Sequence, residues 1–568
     1  MSAEDGSSLE EDPYQTTETG YRLRRLQPAV DGRDAVIERL PDQTLSIHTE
    51  RNSADPRIVH ELTLRVDAWG NVVRSASVAY GRQTPGDAEQ TRTHITCTDR
   101  VLENQVAATG PRRIGLLIAE TSYEIGGVTS PLLADPAALD AAIDNCLEIP
   151  FHQDITGATP ERRVLAASLQ TYLSDDLTTE LPRHQVGTRA IPARSYQQTF
   201  ADNQITALYD DRIGANALRA AGYVEVDNEP GWWSPSGTQI LDPNHFYLPT
   251  AAVDPFGAIS RIEYDERYLV PVRVEDPVGN VATAELDYRV LQSSAVTDAN
   301  GNRSVVQFDE VGLVIATVVQ GKNGEGDTAE APTSWLEYDL TAVPVVFRTY
   351  AREEHRGTRI QESRTYGDGT GRIILTKVQA EPGDDDAPRW VGTGRTIHDN
   401  KGQPVKRYEP YFAPTADFDT ESELIHSGVT PVLRYDPLGR NVRTDQPDGT
   451  YGKIVIGAWD QQDWDAGDTV TDSRWYIEHT GSREAELSAA YARTFTTTRL
   501  DALGRSYLTL ADNKTDILRT SLELDVQGNE RSTTDARGNE VLTQRFDMLG
   551  RASTSRMPDS TTGQPMPP

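Results

Sequence analysis

A 22-residue repeat in the middle of the chain constrains its fold more than any other feature. Three units follow one another between residues 254 and 320. Each unit has an aspartate and, three residues later, a glycine, at Asp254, Gly257, Asp276, Gly279, Asp298 and Gly301. A second aspartate halves each unit, at Asp265, Asp287 and Asp309, so aspartate recurs every 11 residues. Such a period indicates a fold built from one repeated supersecondary unit.

Each half-unit has the length of one strand plus one turn. Apolar residues recur at shared positions of the repeat: Ile262, Ala284 and Val306; Tyr264, Leu286 and Phe308; Leu269, Leu291 and Leu313; Val274, Val296 and Val318. The first two of these sets are two residues apart, which places both on the same face of a strand. Short strands at 8–12-residue spacing predict an all-β structure.

The residues around the aspartates fit tight turns. In Asp254-Pro255-Phe256-Gly257 the aspartate can accept backbone hydrogen bonds, and the proline presets φ at the second position. The glycine tolerates the left-handed conformation that leads into the next strand. Each unit is therefore predicted to be a β-hairpin, and successive hairpins are predicted to form a twisted antiparallel sheet.

The same turn signature returns near the C-terminus, at Asp436 and Gly439, Asp501 and Gly504, and Asp547 and Gly550. Helical insertions are predicted from Pro136 to Ile149, from Ile205 to Gly222 and from Ser482 to Arg493. The predicted fold class is mainly β: a large twisted antiparallel sheet with short helical insertions.

The charge of the chain excludes several classes of partner. It has 87 acidic and 55 basic side chains, a net charge of −32. Such a chain is repelled by phosphate and by anionic membranes, so nucleic-acid binding is not expected. The acidity either serves solubility or holds a basic partner. Residues 1–20 lack the pattern of a signal peptide and are predicted to be a disordered acidic tail.

No residue pattern predicts catalysis, a metal site or a cofactor. Cys97 and Cys146 do not form a ligand framework, and two reduced thiols are favoured over one bridge. The histidines are not at metal-ligand spacing. Calcium loops pack several oxygen ligands into one loop, whereas the aspartates here are single, which favours turn capping.

Tyr-Asp-x-x-Gly-Arg units, as at Tyr435–Arg440, resemble those of Rhs/YD-repeat proteins. The chain more specifically resembles the middle and C-terminal part of the B component of the bacterial toxin complex (Tc) insecticidal toxins. The stretches that carry the resemblance begin at Tyr21 (YRLRRLQPAVDGR), Glu50 (ERNSADPRIVHELTLRVDAWGN), Val296 (VTDANGNRSVVQFDE), Asn400 (NKGQPVKRYEPYF) and Arg434 (RYDPLGRNVRTDQPDGTYG), and it extends over residues 21–555.

The resemblance implies a non-catalytic segment of a hollow β-walled shell that encloses and shields a toxic cargo polypeptide. The implied partners are a C-component-like Rhs protein that carries the cargo, the propeller portion of the B component if it is separately encoded and, indirectly, the pore-forming A component. No propeller-like segment precedes Tyr21 and no variable toxin follows Arg551, so we expect a wall without gate or cargo. Such a protein would be made in the bacterial cytoplasm and secreted as part of a complex.

The sequence predicts six segments: a disordered tail at 1–20, a β-rich region with helical insertions at 21–250, the repeat block at 251–325, a β-rich region at 326–430, a second repeat region at 431–555 and a disordered tail at 556–568.

Two alternatives stay open. The chain could be a carbohydrate- or cell-surface-binding repeat protein with a platform of aromatic residues, although packing in the sheets is favoured for them: Trp232, Trp233, Trp459, Trp464 and Trp475. Rhs shells also carry a self-cleaving site of two Asp-Pro-x-Gly elements separated by 18 residues. Asp254 and Asp276 begin two such elements at that separation, but a 22-residue repeat produces it automatically.

Overall fold

The computed structural model describes residues 6–84, 86–106, 110–128, 135–383, 386–424 and 430–557. These residues form three large sheets, and all strand pairs except one are antiparallel. The predicted mainly β fold with short helical insertions is confirmed.

The first sheet has ten strands, in the order β1-β2-β3-β4-β5-β6-β8-β9-β10, with β7 parallel to β8. They are β1 (Gln15–Gln27), β2 (Val36–His48), β3 (Arg57–Val66), β4 (Val72–Ala79), β5 (His94–Val106), β6 (Arg112–Gly126), β7 (Leu147–Ile149), β8 (Glu161–Tyr172), β9 (Pro192–Phe200) and β10 (Trp232–Pro235).

The second sheet has fourteen strands, from β11 to β23 in chain order and then β26. They are β11 (Thr238–Asp242), β12 (Leu248–Val253), β13 (Ile259–Tyr264), β14 (Pro271–Glu275), β15 (Val281–Asp287), β16 (Gln292–Thr297), β17 (Arg303–Phe308), β18 (Val314–Gln320), β19 (Ser334–Asp339), β20 (Val345–Arg352), β21 (Ile360–Gly367), β22 (Ile373–Ala380), β23 (Arg389–Thr393) and β26 (Tyr411–Ala413).

The third sheet has twelve strands, β24, β25 and then β27 to β36 in chain order. They are β24 (Thr396–His398), β25 (Pro404–Arg407), β27 (Val432–Tyr435), β28 (Asn441–Asp445), β29 (Tyr451–Ile456), β30 (Asp460–Trp464), β31 (Thr496–Leu500), β32 (Ser506–Asp512), β33 (Ile517–Leu524), β34 (Glu530–Thr534), β35 (Glu540–Phe546) and β36 (Ala552–Arg556).

The helices are short and lie in the connections. They are α1 (Pro136–Asp144), α2 (Gln204–Tyr209), α3 (Ala215–Ala220), α4 (Glu421–Leu424), α5 (Arg474–Glu478) and α6 (Arg483–Ala489), with single 3₁₀ turns at Asp210–Arg212, Lys322–Gly324 and Val470–Asp472. Among the described residues no helix is long and apolar enough to cross a membrane.

The predicted helices begin where the sequence places them, but they are shorter. Asp135 caps α1 by accepting hydrogen bonds from the first backbone N–H groups, and proline occupies the first turn. The predicted helix ends at Asp144, because Leu147–Ile149 pairs with β8 instead. The segment from Ile205 to Gly222 breaks into α2, a 3₁₀ turn and α3.

α1 positions the main core of the first sheet. Its Leu139 and Ile143 are buried against apolar side chains of β3, β4 and β5, among them Leu62, Val78 and Ile95. Beside this core, the Arg74 guanidinium pairs with Asp99 on β5 and with Asp140 and Asp144 on the helix. A helix covered on one side by the sheet can remain short, because packing rather than propensity supplies most of its stability.

The predicted disorder of residues 1–20 is wrong from Gln15 onward. Residues 15–20 pair with β2, from Gln15 opposite His48 to Gly20 opposite Gln43. A neighbouring strand satisfies their backbone N–H and C=O groups, which the polar composition of the segment does not reveal. Residues 1–5 and 558–568, in the two predicted tails, lie outside the described residues.

The predicted boundary at residue 325 does not divide the sheets. β18 pairs directly with β19, with Ala316 opposite Trp335, so the second sheet continues across it.

The third repeat unit is out of register with the first two. Val274 pairs with Ile262 and Val296 with Ala284, but the repeat-equivalent Val318 pairs with Val305. The turn from Asp309 closes one residue earlier than the equivalent turn from Asp265. The backbone N–H of Asp265 donates to the carbonyl of Val270, five residues on, whereas the backbone N–H of Asp309 donates to the carbonyl of Leu313, four residues on. Because side chains alternate between faces, this single residue moves Val318 to the opposite face of the sheet.

Candidate functional site at the junction of two sheets

The aspartate–glycine turns share one hydrogen-bond pattern. In the turn at Asp276, the Oδ1 atom accepts from the backbone N–H of Val278 at 3.0 Å and of Asn280 at 2.8 Å. The Asp276 N–H donates to the Asn280 carbonyl at 2.9 Å, and Gly279 has a φ of 88°. The predicted glycines of the other turns also have positive φ: Gly257, Gly301, Gly439, Gly504 and Gly550. The aspartate therefore holds the turn closed.

The residue after the glycine divides these turns into two classes. We call Asp254–Ala258, Asp276–Asn280 and Asp298–Asn302, all in the second sheet, the exposed turns. We call Asp436–Arg440, Asp501–Arg505 and Asp547–Arg551, all in the third sheet, the arginine turns. In two exposed turns the asparagine amide donates to its own aspartate. In the arginine turns Nε donates to the aspartate, and the other guanidinium N–H groups remain available to more distant acceptors.

The turn at Asp501 is buried against the first sheet. Asp501 is 1% exposed and Ala502 is 0% exposed, and Ala502 packs with Ala79 of β4 and with Trp459. The fully buried Gln90 amide donates to the carbonyls of Trp459 at 2.9 Å and Leu500 at 3.1 Å. A side chain from the first half of the chain thus satisfies backbone groups of the third sheet.

The turn at Asp547 makes a second contact. Met548 is 2% exposed, and its N–H donates to the Thr199 carbonyl of β9 at 3.0 Å. The Gln204 amide, at the start of α2, donates to the Phe546 carbonyl at 3.2 Å. Arg551 completes the contact by donating to the Tyr223 hydroxyl at 3.2 Å.

The turn at Asp436 makes the third contact through charge. The Arg440 guanidinium donates to both carboxylate oxygens of Glu50, at 2.8 and 2.7 Å, and also lies over the Tyr14 ring. This fork-to-fork geometry is the strong form of an ion pair. The hydrogen bonds that Arg440 donates to Glu50 and then to Asp436 raise its pKa above the ordinary value despite burial.

Two further ion pairs cross the same junction. Asp87 accepts from Arg499 at 2.6 Å and from the Tyr507 hydroxyl at 2.8 Å, and Asp154 pairs with Arg531 at 2.6 Å. Burial opposes ionisation of both carboxyls, but these hydrogen bonds outweigh it and lower the pKa of Asp87 and of Asp154. We refer to the three arginine-turn contacts and these two pairs as the sheet junction.

A buried histidine lies within the sheet junction and was not found from the sequence. His94 is 5% exposed, and its Nε2 has no hydrogen-bond partner among the described residues. One oxygen each of Glu89 and Asp501 and one ring nitrogen of His94 lie within 4.8 Å of one another, a spacing compatible with a metal. However, Asp501 already accepts from Arg505 through both oxygens, and no sequence pattern links residues 89, 94 and 501.

The positive charges around this cluster disfavour a bound metal ion. Burial and then the nearby Arg92 guanidinium lower the pKa of His94 to about 4. Asp501 is partly neutralised by Arg505, and the partly buried Arg57 adds a further positive charge beside it. A divalent cation would therefore enter a site already supplied with positive charge.

The two aspartates of the candidate self-cleaving pair are used within their own turns. Asp254 accepts from the backbone N–H of Phe256 and Ala258, as Asp276 does in its turn. Hydrogen bonds from the Asn280 side chain and then its backbone lower the pKa of Asp276 below its ordinary value. A proton-sharing pair requires one raised carboxyl pKa, so this geometry disfavours an acid–base role.

The tryptophans proposed as a sugar platform have covered ring faces. Trp464 stacks on Phe495 at 4.1 Å, and the Lys453 ammonium lies 4.3 Å above its ring. Trp233 and Trp459 are buried. Trp232 packs against the Arg219 guanidinium, and Trp475 stacks on the His479 ring. Rings in these environments favour the packing interpretation of the aromatic residues.

Comparison with known proteins extends these observations. Residues 1–111 match the family model described as the insecticide toxin TcdB middle/C-terminal region. No curated protein matches the chain in sequence.

Solved structures match nearly the whole chain. The crystal structure of TcdB2-TccC3 is 19% identical with a TM-score of 0.83, over 98% of this chain and 30% of that one. The crystal structure of TcdB2-TccC3-Cdc42 is 18% identical with a TM-score of 0.82, over 98% and 32%. The Photorhabdus luminescens Tc holotoxin pore with a mutated TccC3 is 18% identical with a TM-score of 0.81, over 98% and 32%.

The chain thus has the fold of these structures and spans about a third of their length. The resemblance to the middle and C-terminal part of a Tc B component, predicted from the sequence, is confirmed.

Proposed function

We propose that this chain is a structural, non-catalytic segment of the wall of a Tc-type toxin complex, which helps to enclose and shield a toxic cargo polypeptide before delivery. The observation that carries the proposal is the match to TcdB2-TccC3 over 98% of this chain. The match covers only 30% of that structure's chain, which supports a segment of a larger wall rather than a whole container.

The sheet junction supports a structural role for this chain. It joins parts of the chain that are hundreds of residues apart in sequence through direct contacts, such as the one between Glu50 and Arg440. Its central contacts exclude water, since Ala502 and Gln90 are both 0% exposed. Buried, hydrogen-bonded contacts of this kind hold sheets at a fixed relative position, as a wall requires.

The expected partners follow from the same proposal. They are a C-component-like Rhs protein that carries the cargo, the propeller portion of a B component and, through it, a pore-forming A component, in a complex that acts outside the producing bacterium. Among the described strands, β36 pairs only with β35, so its other edge offers unpaired backbone groups. A partner strand could extend the third sheet at this edge.

The test is reconstitution with a C-component-like Rhs protein that retains its cargo. We expect the purified full chain to co-elute with that protein in size-exclusion chromatography with light scattering, and the cargo to become resistant to added protease. The matched control uses the same Rhs protein with an unrelated β-sheet protein of similar mass. Failure to co-elute at micromolar concentration, or unchanged digestion of the cargo within the complex, would contradict the proposal.

A further inference from the structure

Strand β1 forms an exceptionally long sheet edge. Among the described strands, β1 pairs only with β2 and so ends the first sheet on one side. It has 13 residues. The other strands that end the three sheets, β10, β11, β24, β26 and β36, have three to five residues each. Proteins usually keep edge strands short, because an open edge is a template for pairing with another chain.

The surface beside this edge is apolar and open to solvent. Nine of the 13 residues of β1 are exposed. Tyr21 and Leu23 lie on one face of the strand and are 50% and 68% exposed. Ile37 of β2 shares that face and is 57% exposed, whereas Leu40 on the opposite face is 4% exposed. Exposed apolar side chains along an open edge indicate a surface that another chain covers.

The charges of β1 are divided between its two halves. The N-terminal half, QTTETG, contains Glu18 and no basic residue, and the C-terminal half, YRLRRLQ, contains three arginines and no acidic residue. Like charges directly opposite each other on paired strands are destabilising, so arginines on an edge protect it against most partners. In an antiparallel pair of two identical β1 strands, however, each half lies opposite the other half.

Full overlap of two such strands gives one register. When all 13 residues of β1 pair with all 13 of a second copy in antiparallel orientation, Tyr21 lies at the centre, opposite its own copy. Glu18 then lies opposite Arg24, and Leu23 lies opposite Thr19. No pair in this register joins two like charges. Moving the centre one residue towards the C-terminus would place an arginine opposite its own copy.

We infer that two copies of this chain associate through β1, edge to edge and antiparallel, so that their first sheets become one continuous sheet. The two copies are then related by a two-fold axis at Tyr21, the commonest symmetry of homo-oligomers. Leu23 of each copy lies diagonally opposite Tyr21 of the other, within reach of a side-chain contact. Four apolar side chains therefore meet at the centre of the pair.

Charge selects this partner over an unrelated strand. A strand with acidic residues along its whole length would pair with the arginines but would repel Glu18, and a basic strand would meet three arginines. The second copy matches both halves. Repulsion between two chains of net charge −32 opposes the association, but it acts at long range, and salt screens it beyond about 10 Å at 0.1 M.

The first experiment is disulfide trapping in the full chain that carries Cys146→Ser, since Cys97 is buried. Tyr21→Cys places a thiol opposite its own copy. The matched control, Ile37→Cys, places a thiol on the same face with similar exposure but one strand away from the edge. Residues directly opposite each other have Cα atoms about 4.5–5.5 Å apart, which a disulfide can bridge.

We expect at least about tenfold more disulfide-linked dimer from Tyr21→Cys than from Ile37→Cys under mild oxidation in about 0.3 M NaCl, which screens the net charge. Light scattering of the wild type should give a mass that rises above the 62.6 kDa of one chain as its concentration approaches about 100 μM. Equal trapping at the two positions, or a monomeric mass at that concentration, would overturn the inference. Circular dichroism checks that both variants keep the sheet.

The second experiment tests the register. A mixture of Thr19→Cys and Leu23→Cys chains should form at least about fivefold more disulfide dimer than either variant alone. Within a pair of identical variants the two thiols are four residues apart along the strands, about 13 Å, which a disulfide cannot span. Trapping of either variant alone to the same extent as the mixture would contradict the register centred on Tyr21.

The inference goes beyond the proposed function and does not depend on it. A chain that stays monomeric yet co-elutes with the Rhs protein would remove the β1 pair and leave the wall role standing. A chain that dimerises through β1 without binding the Rhs protein would do the reverse.

Discussion

The exposed turns of the second sheet and the arginine turns of the third sheet have the same backbone and opposite surroundings. In both, the aspartate carboxylate accepts a hydrogen bond from the backbone N–H of the fifth residue of the turn, and a glycine of positive φ at the fourth position closes the turn. Yet the second position of the turn is exposed at Pro255 and Pro277 in the exposed turns, while Ala502 and Met548, at that position in two arginine turns, are 0% and 2% exposed.

The comparison teaches that one turn motif serves two purposes. With asparagine after the glycine, all hydrogen bonds close within the turn. With arginine after the glycine, the aspartate accepts from Nε, and the other guanidinium N–H groups donate to more distant acceptors. These acceptors are Glu50 for Arg440, the Asp525 carbonyl for Arg505 and the Tyr223 hydroxyl for Arg551. The repeat can therefore continue as a free sheet or become a connector through the exchange of one side chain.

The largest effect is expected where the two classes differ most in burial, at the second position of the turn. Ala502→Leu should lower the free energy of unfolding by about 1–3 kcal/mol, because the packed contact with Ala79 has no space for added methylene groups. Ala299→Leu at the same position of an exposed turn should change it by less than about 0.5 kcal/mol. Urea denaturation followed by tryptophan fluorescence measures both, and equal losses would show that burial does not separate the classes.

The next effect is a pH dependence that His94 introduces at the sheet junction. The pKa of His94 is lowered to about 4 in the folded chain, so between about pH 6.5 and pH 4 the unfolded chain binds more protons there. Stability must therefore fall as the pH falls through this window, by roughly 2 kcal/mol between pH 7 and pH 5. Thermal melts of the wild type and His94→Gln from pH 7 to pH 5 test this.

The variant should lose most of that slope, because glutamine does not titrate. The charged neighbours Glu89, Arg92, Asp501 and Arg505 are present in both proteins, so they act as an internal control. A slope that is the same in both proteins would assign the pH dependence to other groups, among them His48, His60 and His398, whose pKa burial also lowers.

A smaller effect is expected from exchanging the two kinds of turn. Arg440→Asn preserves hydrogen bonding to Asp436 but leaves the mostly buried Glu50 carboxylate without its fork of donors. We expect a loss of about 1–2 kcal/mol, discounted because the arginine is partly exposed. The reciprocal Asn280→Arg should be nearly neutral. If both exchanges are neutral in chemical denaturation, the arginine is not what makes the turn a connector.

The smallest contrast concerns the glycines. Gly257→Ala should cost about 1 kcal/mol, since its φ of 88° is strained for alanine although its surroundings are open. Gly504→Ala should cost more, because a Cβ there would lie 2.8 Å from the Arg57 guanidinium, which donates to the Ala458 carbonyl. Differential scanning calorimetry of the two variants resolves the order, and a smaller loss at Gly504 would contradict it.

The turns could be predicted from the sequence, whereas the contacts between distant parts of the chain could not. The 22-residue period led to strands, to turns and to a mainly β class, because each of these depends on neighbours within a few residues. The strand of residues 15–20 and the buried His94 were missed, because both depend on partners far away in sequence, β2 and the turn at Asp501.

What the sequence determined by itself is the local unit: an aspartate that closes a turn, a glycine that permits it, and strands that alternate between faces. Only the tertiary structure decided which turns are connectors and which face each valine occupies. Val274, Val296 and Val318 are equivalent in the repeat, yet the turn at Asp309 is one residue shorter, and Val318 is buried on the face of the sheet opposite to that of Val274 and Val296. The physical reason is that strand side chains have a period of two, so one residue of turn length reverses a face while the sequence spacing stays the same.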